Sequence, residues 1–176
     1  AVAYTRLDHI EDGLHWLDIS AQHFAKSKFK GQYALIAFET GNVHYQQQAY
    51  EAAAQWWQIA LDEAVKRNYP PTTAVFRHAL GMVQIRLGDY AGAEDNLKQA
   101  LDYWRDRDPA QTGHLYHTLA FLEGTRGNTG QALAYLDDAT DQLGRVQRSL
   151  FIEQVQGHVR LLREAIENGA SIGDLP

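Results

Sequence analysis

Residues 87–101 read LGDYAGAEDNLKQAL, a Gly88-Asp89 turn followed by a run in which Ala93 and Ala100 lie two helical turns apart with Leu97 between them. The same small, large, small pattern stands earlier in QQAYEAAAQWWQIAL (47–61), as Ala53, Trp57 and Ala60, and later in RGNTGQALAYLDDAT (126–140), as Ala132, Leu136 and Ala139. Counted from Ala34, Ala74 and Gly113, the eighth position is also small, being Gly41, Gly81 and Ala120. These positions recur at offsets of 40 and 39 residues, so the chain contains a repeat.

Alanine is a good helix former, but propensity alone does not explain a fixed register. Two antiparallel helices approach closely only where facing side chains are small, so a Gly or Ala on a first helix is expected to meet an Ala on a second. The large residue between the alanines then fills the space toward the next hairpin. No single pair buries its own apolar surface, and the hairpins must stack.

The rest of the chain agrees with a helical reading. Ala, Leu, Gln and Glu dominate between short breaks at Lys30-Gly31, Asn68-Tyr-Pro70-Pro71, Gly88-Asp89, Arg107-Asp-Pro109, Gly127-Asn128, Gly144 and Asn168-Gly169. Periodicity predicts helices at about 8–28, 32–46, 49–67, 72–87, 90–106, 110–126, 129–143 and 147–168. Projected backward, Gly13, Leu17 and Ser20 take the small, large, small positions of a second helix, so residues 1–31 read as a partial first repeat. Repeats then follow at 32–71, 72–109 and 110–146, with 147–176 as a capping helix and tail of a single domain, 1–176. A cap is expected to hide one apolar face and show water a charged one.

The pattern resembles the tetratricopeptide repeat, whose signature is W-x2-L-G-x2-Y, then A-x3-F, then A and P. Thr40-Gly41 with Ala53-x3-Trp57, Leu80-Gly81 with Ala93-x3-Leu97, and Tyr116-x2-Leu119-Ala120 with Ala132-x3-Leu136 carry the likeness. The Tyr after Leu-Gly is replaced by His44, Gln84 or Glu123, and the closing Pro by Val65, Arg105 or Gly144. Prolines stand about five residues later, at Pro70-Pro71 and Pro109, which is similar to the longer repeats of kinesin light chains and bacterial peptide-sensing regulators. The resemblance implies an all-α, right-handed superhelical stack of antiparallel hairpins with a C-terminal capping helix. It also implies a non-enzymatic scaffold that binds protein or peptide in a concave groove.

In that family the second, fifth, ninth and twelfth or thirteenth positions of each first helix point into the groove. Here they are Leu35, Phe38, Asn42, Tyr45 and Gln46, then Val75, His78, Met82, Ile85 and Arg86, then His114, His117, Phe121 and Thr125. Phe38, Asn42, Tyr45, His78, Met82, Arg86, His114, His117 and Phe121 are the expected contact residues. The alternative, that Phe38, Met82 and Phe121 are core residues, remains open at this point. The clamp for a C-terminal carboxylate needs Lys and Asn at repeated groove positions, and Asn42 alone fits. Trp56, preceding the packing Trp57, is expected to face outward. Histidines that titrate near neutral pH would make binding pH-sensitive.

Composition narrows function further. The 176 residues are 45% hydrophobic and 22% charged, with 16 Lys and Arg against 22 Asp and Glu, a net charge of -6 that repels polyanions and argues against direct nucleic-acid or acidic-membrane binding. Arg145, Arg148, Arg160 and Arg163 are the one basic concentration, best read as a solvated face. The absence of cysteine removes thiolate metal sites and cysteine nucleophiles, and fits a cytoplasmic location. No apolar run approaches the ~20 residues a membrane span needs. The chain starts at Ala rather than Met, which suggests sequence upstream.

His114 and His117, with His78 in the equivalent place one repeat earlier, form the best metal candidate, yet histidines three apart are common and no metal or cofactor is expected. No G-x-S-x-G elbow or phosphate loop is present, the four serines (Ser20, Ser27, Ser149, Ser171) have no plausible base beside them, and Glu11-Asp12 and Asp137-Asp138 read as solvated faces. No enzyme activity is expected. Two alternatives stand beside the groove-binding scaffold. One is a peptide-sensing regulatory domain of a larger bacterial regulator; the other is a self-associating module that forms a homodimer through its incomplete N-terminal hairpin.

Overall fold

The computed structural model describes residues 10–26, 30–147, 149–170 and 172. Among them the regular structure is eight helices: α1 (Ile10–Ala25), α2 (Lys30–Gln46), α3 (Tyr50–Lys66), α4 (Pro70–Leu87), α5 (Tyr90–Trp104), α6 (Pro109–Thr125), α7 (Thr129–Gly144) and α8 (Leu150–Glu167). The protein is all-α with a tetratricopeptide-like helical repeat architecture, as the spacing predicts. The predicted ends of the first helix, at 8 and 28, lie outside the described residues. The chain forms two compact units, Ala1–Gly88 and Asp89–Pro176, so α1–α4 belong to the first and α5–α8 to the second.

The breaks work as their residue types dictate. Gly88 ends α4 in the left-handed region at φ +79, where a side chain would be strained. Asp89 caps α5 by accepting from the amide of Gly92 at 3.0 Å. Asp108 caps α6, accepting from Ala110 at 2.8 Å and Gln111 at 3.2 Å, with Pro109 opening the first turn. α4 starts two residues earlier than periodicity predicts, because Pro70 and Pro71 occupy its first turn, where their missing N–H groups would have no helical partner anyway. Ser149, among the serines without a base, caps α8 by accepting from Ile152 at 3.3 Å.

In the first unit, α2 packs between α1 and α3, and α3 packs on α4. Its core gathers Ala34 and Ala37 from α2, Ala53, Trp57, Ala60 and Leu61 from α3, and Phe76, Ala79, Leu80 and Val83 from α4. In the second unit, α6 packs on α5, α7 and α8, and its core joins Ala120 to Ala132, Leu136, Ala139 and Leu143 of α7 and Ile152, Val155, Val159, Leu162 and Ile166 of α8. The six repeat alanines, Ala53, Ala60, Ala93, Ala100, Ala132 and Ala139, are all 0% exposed, and Trp57, Leu97 and Leu136 between them are buried.

Three details differ from the sequence pattern. The space over Gly41 is filled by the indole of Trp57 rather than by an alanine: a β-carbon on Gly41 would enter the ring, coming within 2.9 Å of Cγ. In α1 the third inward position is Ala21, which is buried; Ser20 is half-buried and donates to the carbonyl of Trp16 at 2.7 Å. Trp56 does not stand out from the surface but is half-buried against the first core. The basic concentration is largely ion-paired, Arg145 with Asp141 and Arg163 with Asp137, each at 2.6 Å, while Arg148 lies outside the described residues.

Candidate functional site

The expected contact residues divide between the two units and meet different fates. In the first unit, Phe38 stacks on Phe76 with ring centroids 4.6 Å apart and on Trp57 at 6.1 Å. Tyr45 lies 5.3 Å from Trp57 and 5.5 Å from Tyr50. Both rings are half-buried and pack against the core. Asn42 is half-buried and donates to Glu39 at 3.4 Å. On α4, His78 is buried, while Met82 and Arg86 are half-buried.

In the second unit, the register that puts His114, His117 and Phe121 on one side of α6 brings two of them against α8. The imidazoles of His114 and His117 lie 6.3 Å apart, His117 is 6.0 Å from His158, and His114 meets the ring of Phe151 edge-on at 5.5 Å. Phe121 is half-buried against the second core, in line with the core alternative for that residue. Phe151 and His158 were not among the expected contacts. The signal was present: Phe151, Gln154, His158 and Leu161 repeat on α8 the spacing of the second, fifth, ninth and twelfth positions of a first helix, but at a shortened offset from α6.

Burial sets the chemistry of this cluster. His114 is pushed down to about 4, mainly by burial and then by the charge His158 would carry. His117 is pushed down to about 3, again by burial first, then by His114 and His158. Its Nδ1 is withdrawn from water and has no hydrogen-bond partner. At neutral pH both imidazoles are therefore uncharged, and the expectation of titration near neutrality is corrected for these two: their proton uptake in the folded state is displaced into acid.

α8 buries Ile152, Val155, Val159, Leu162 and Ile166 and exposes Glu153, Arg160, Glu164 and Glu167, and its exposed side also carries apolar groups. Leu150, Phe151 and Leu161 are large, apolar and exposed, among Glu153, Arg160 and Glu164. Together with the rings of His114, His117 and His158 they make an aromatic and aliphatic surface along α6 and α8, flanked by those charged side chains. Among the described residues, no group of three His, Cys, Asp or Glu side chains is placed to hold a metal ion, and no helix is long and apolar enough to cross a membrane.

Comparison with known proteins bears on the fold. Among solved structures, the crystal structure of BtubC (BKLC) from P. vanneervenii is similar, with a TM-score of 0.75 at 12% identity over 97% of this chain and 75% of that one. Likeness at that identity concerns the fold alone. No curated protein matches the chain. The tetratricopeptide repeat model matches residues 72–143, which span α4 to α7 and carry two copies of the small, large, small pattern; over these residues the chain has the tetratricopeptide repeat.

Proposed function

We propose that this chain is a protein-interaction scaffold that holds a peptide segment of a partner on the surface shared by α6 and α8. The observation that carries the reading is the ring cluster of His114, His117, Phe151 and His158, continued along α8 by exposed Leu150 and Leu161. Exposed aromatic and aliphatic side chains gathered on one face favour a partner over water. A segment with two or three apolar or aromatic side chains at helical or extended spacing would fit, recognised by shape and ring contact rather than by charge. No step of bond chemistry is involved, and Asn42, His78, Met82 and Arg86 form a separate, more polar set on the first unit.

A random peptide array probed with the purified protein tests this. Peptides that bind should be rich in apolar and aromatic residues, and Phe151→Ala should weaken the best of them by at least about tenfold, a typical loss for one aromatic anchor. Circular dichroism on the same variant should be unchanged, because Phe151 is exposed. Equal binding by Phe151→Ala and His117→Ala variants would place the contact surface elsewhere.

A further inference from the structure

The first unit contains a cavity of about 270 Å³ where the first turns of α2, the last turn of α3 and the first turn of α4 meet. Its walls are mostly apolar: Ala34 and Leu35 from α2, Ala64 from α3 and the ring of Tyr69. Leu35 and Tyr69 are 57% and 50% exposed, so large apolar groups stand uncovered at the site. Three polar side chains join them from three different segments, Gln32, Arg67 and Thr72. None of these three has a side-chain hydrogen-bond or ion-pair partner among the described residues.

Arg67 is the unusual member. Its Nε is withdrawn from water and unpartnered, a condition that costs free energy unless something compensates. The neighbouring cation, Lys66, is by contrast paired, with Glu63 at 3.2 Å. A cation at the end of α3 suits the negative end of the helix dipole, which accounts for an arginine there. It does not account for a cavity, nor for Gln32 and Thr72 lining the same space from two other segments. A guanidinium beside two further hydrogen-bonding groups in an apolar pocket is a receptor for a carboxylate on an apolar body.

We propose that this cavity binds a small aliphatic carboxylic acid, its carboxylate on Arg67 with Gln32 and Thr72 as further donors, and its hydrocarbon against Leu35, Ala64 and Tyr69. The volume suits one such acid and little more. The site is independent of the α6 and α8 surface, so either reading can fail without the other.

Calorimetric titration of the full chain with isocaproate, and with isocaproamide as the uncharged analogue, tests the proposal. Saturable binding of the acid is expected, with the amide and the Arg67→Gln variant each weaker by at least about tenfold, because the charged bidentate contact is lost. Leu35→Asp places a like charge at an exposed rim position, should fold normally, and should reduce acid binding comparably; it carries the test if Arg67→Gln fails to fold. Absence of saturable binding, equal affinity for acid and amide, or unchanged affinity in Leu35→Asp would overturn the proposal. So would a peptide ending in a free leucine carboxylate that binds more than about tenfold tighter than isocaproate, since the occupant would then be a chain terminus.

Discussion

Trp57 lies with its indole over Gly41, and its Nε1 donates to the carbonyl of Phe38 at 3.0 Å, so the two helices of the α2–α3 hairpin are joined by a side chain that needs a glycine beneath it. An alanine at 41 would place its methyl inside the ring and push Trp57 off both its packing and its hydrogen bond. Gly41→Ala is expected to destabilise the protein by about 1–3 kcal/mol through overpacking, read as a lower urea midpoint. An unchanged midpoint would show that α2 and α3 can separate at no cost.

The opposite sign is expected at Gly157. A β-carbon there would meet only the tip of Arg160 at 4.0 Å, and the residue sits in the interior of α8. Gly157→Ala should raise stability by about 0.5–1 kcal/mol, the usual gain when a helix-interior glycine with ordinary backbone angles is replaced. The pair of variants separates glycines retained for close packing from those that are not.

Arg126 organises the second unit. Its Nη1 donates to Glu94 and to Glu123, each at 2.8 Å, its Nη2 donates to the carbonyl of Tyr90 at 2.9 Å, and Asn128 donates to the other oxygen of Glu123 at 2.6 Å. Glu123 is buried, so removing the guanidinium leaves a carboxylate poorly compensated away from water. Arg126→Ala is expected to cost about 2 kcal/mol. Arg145→Ala, which breaks an exposed pair with Asp141 at 2.6 Å, should cost less than about 1 kcal/mol. Equal losses in chemical denaturation would mean that burial does not decide the value of these pairs.

Much of this architecture was legible because the repeat alanines obey close packing, a constraint that acts at fixed positions in every hairpin. The turn residues were equally readable, since Gly88, Asp89 and Asp108 act through local backbone chemistry. The candidate site was less so. α2 and α6 pack against neighbours on more than one side, so apolar residues surround them and no single polar stripe separates core-facing from groove-facing positions. Phe38 and Phe121 thus read as either groove or core positions, and both are half-buried against cores. The meeting of His117 with His158, or of Lys66 and Arg67 with different environments one residue apart, depends on how segments distant in sequence are brought together, which periodicity does not encode.

The imidazoles give the last expectation. In the unfolded chain a histidine titrates near its ordinary value of about 6.5. In the folded protein His114 and His117 are held at about 4 and about 3, and burial also lowers His44. Below about pH 6.5 the unfolded state takes up protons that the folded state refuses, so stability must fall as pH drops from 6.5 toward the folded values. Further acidification adds the loss from Glu94, whose carboxyl is held below its usual range first by its hydrogen bond to Lys98 and then by Arg126; that stabilisation is present above the ordinary carboxylate range and disappears as pH falls through the lowered value. Between pH 7.5 and 5.0 the carboxylate contributes little, and the histidines dominate. The urea midpoint of the wild-type chain should therefore drop over this interval, and His117→Gln, which removes one protected imidazole, should drop by less. A variant that loses as much stability as the wild type would show that His117 takes its proton freely in the folded state, and hence that burial between α6 and α8 does not hold this imidazole neutral.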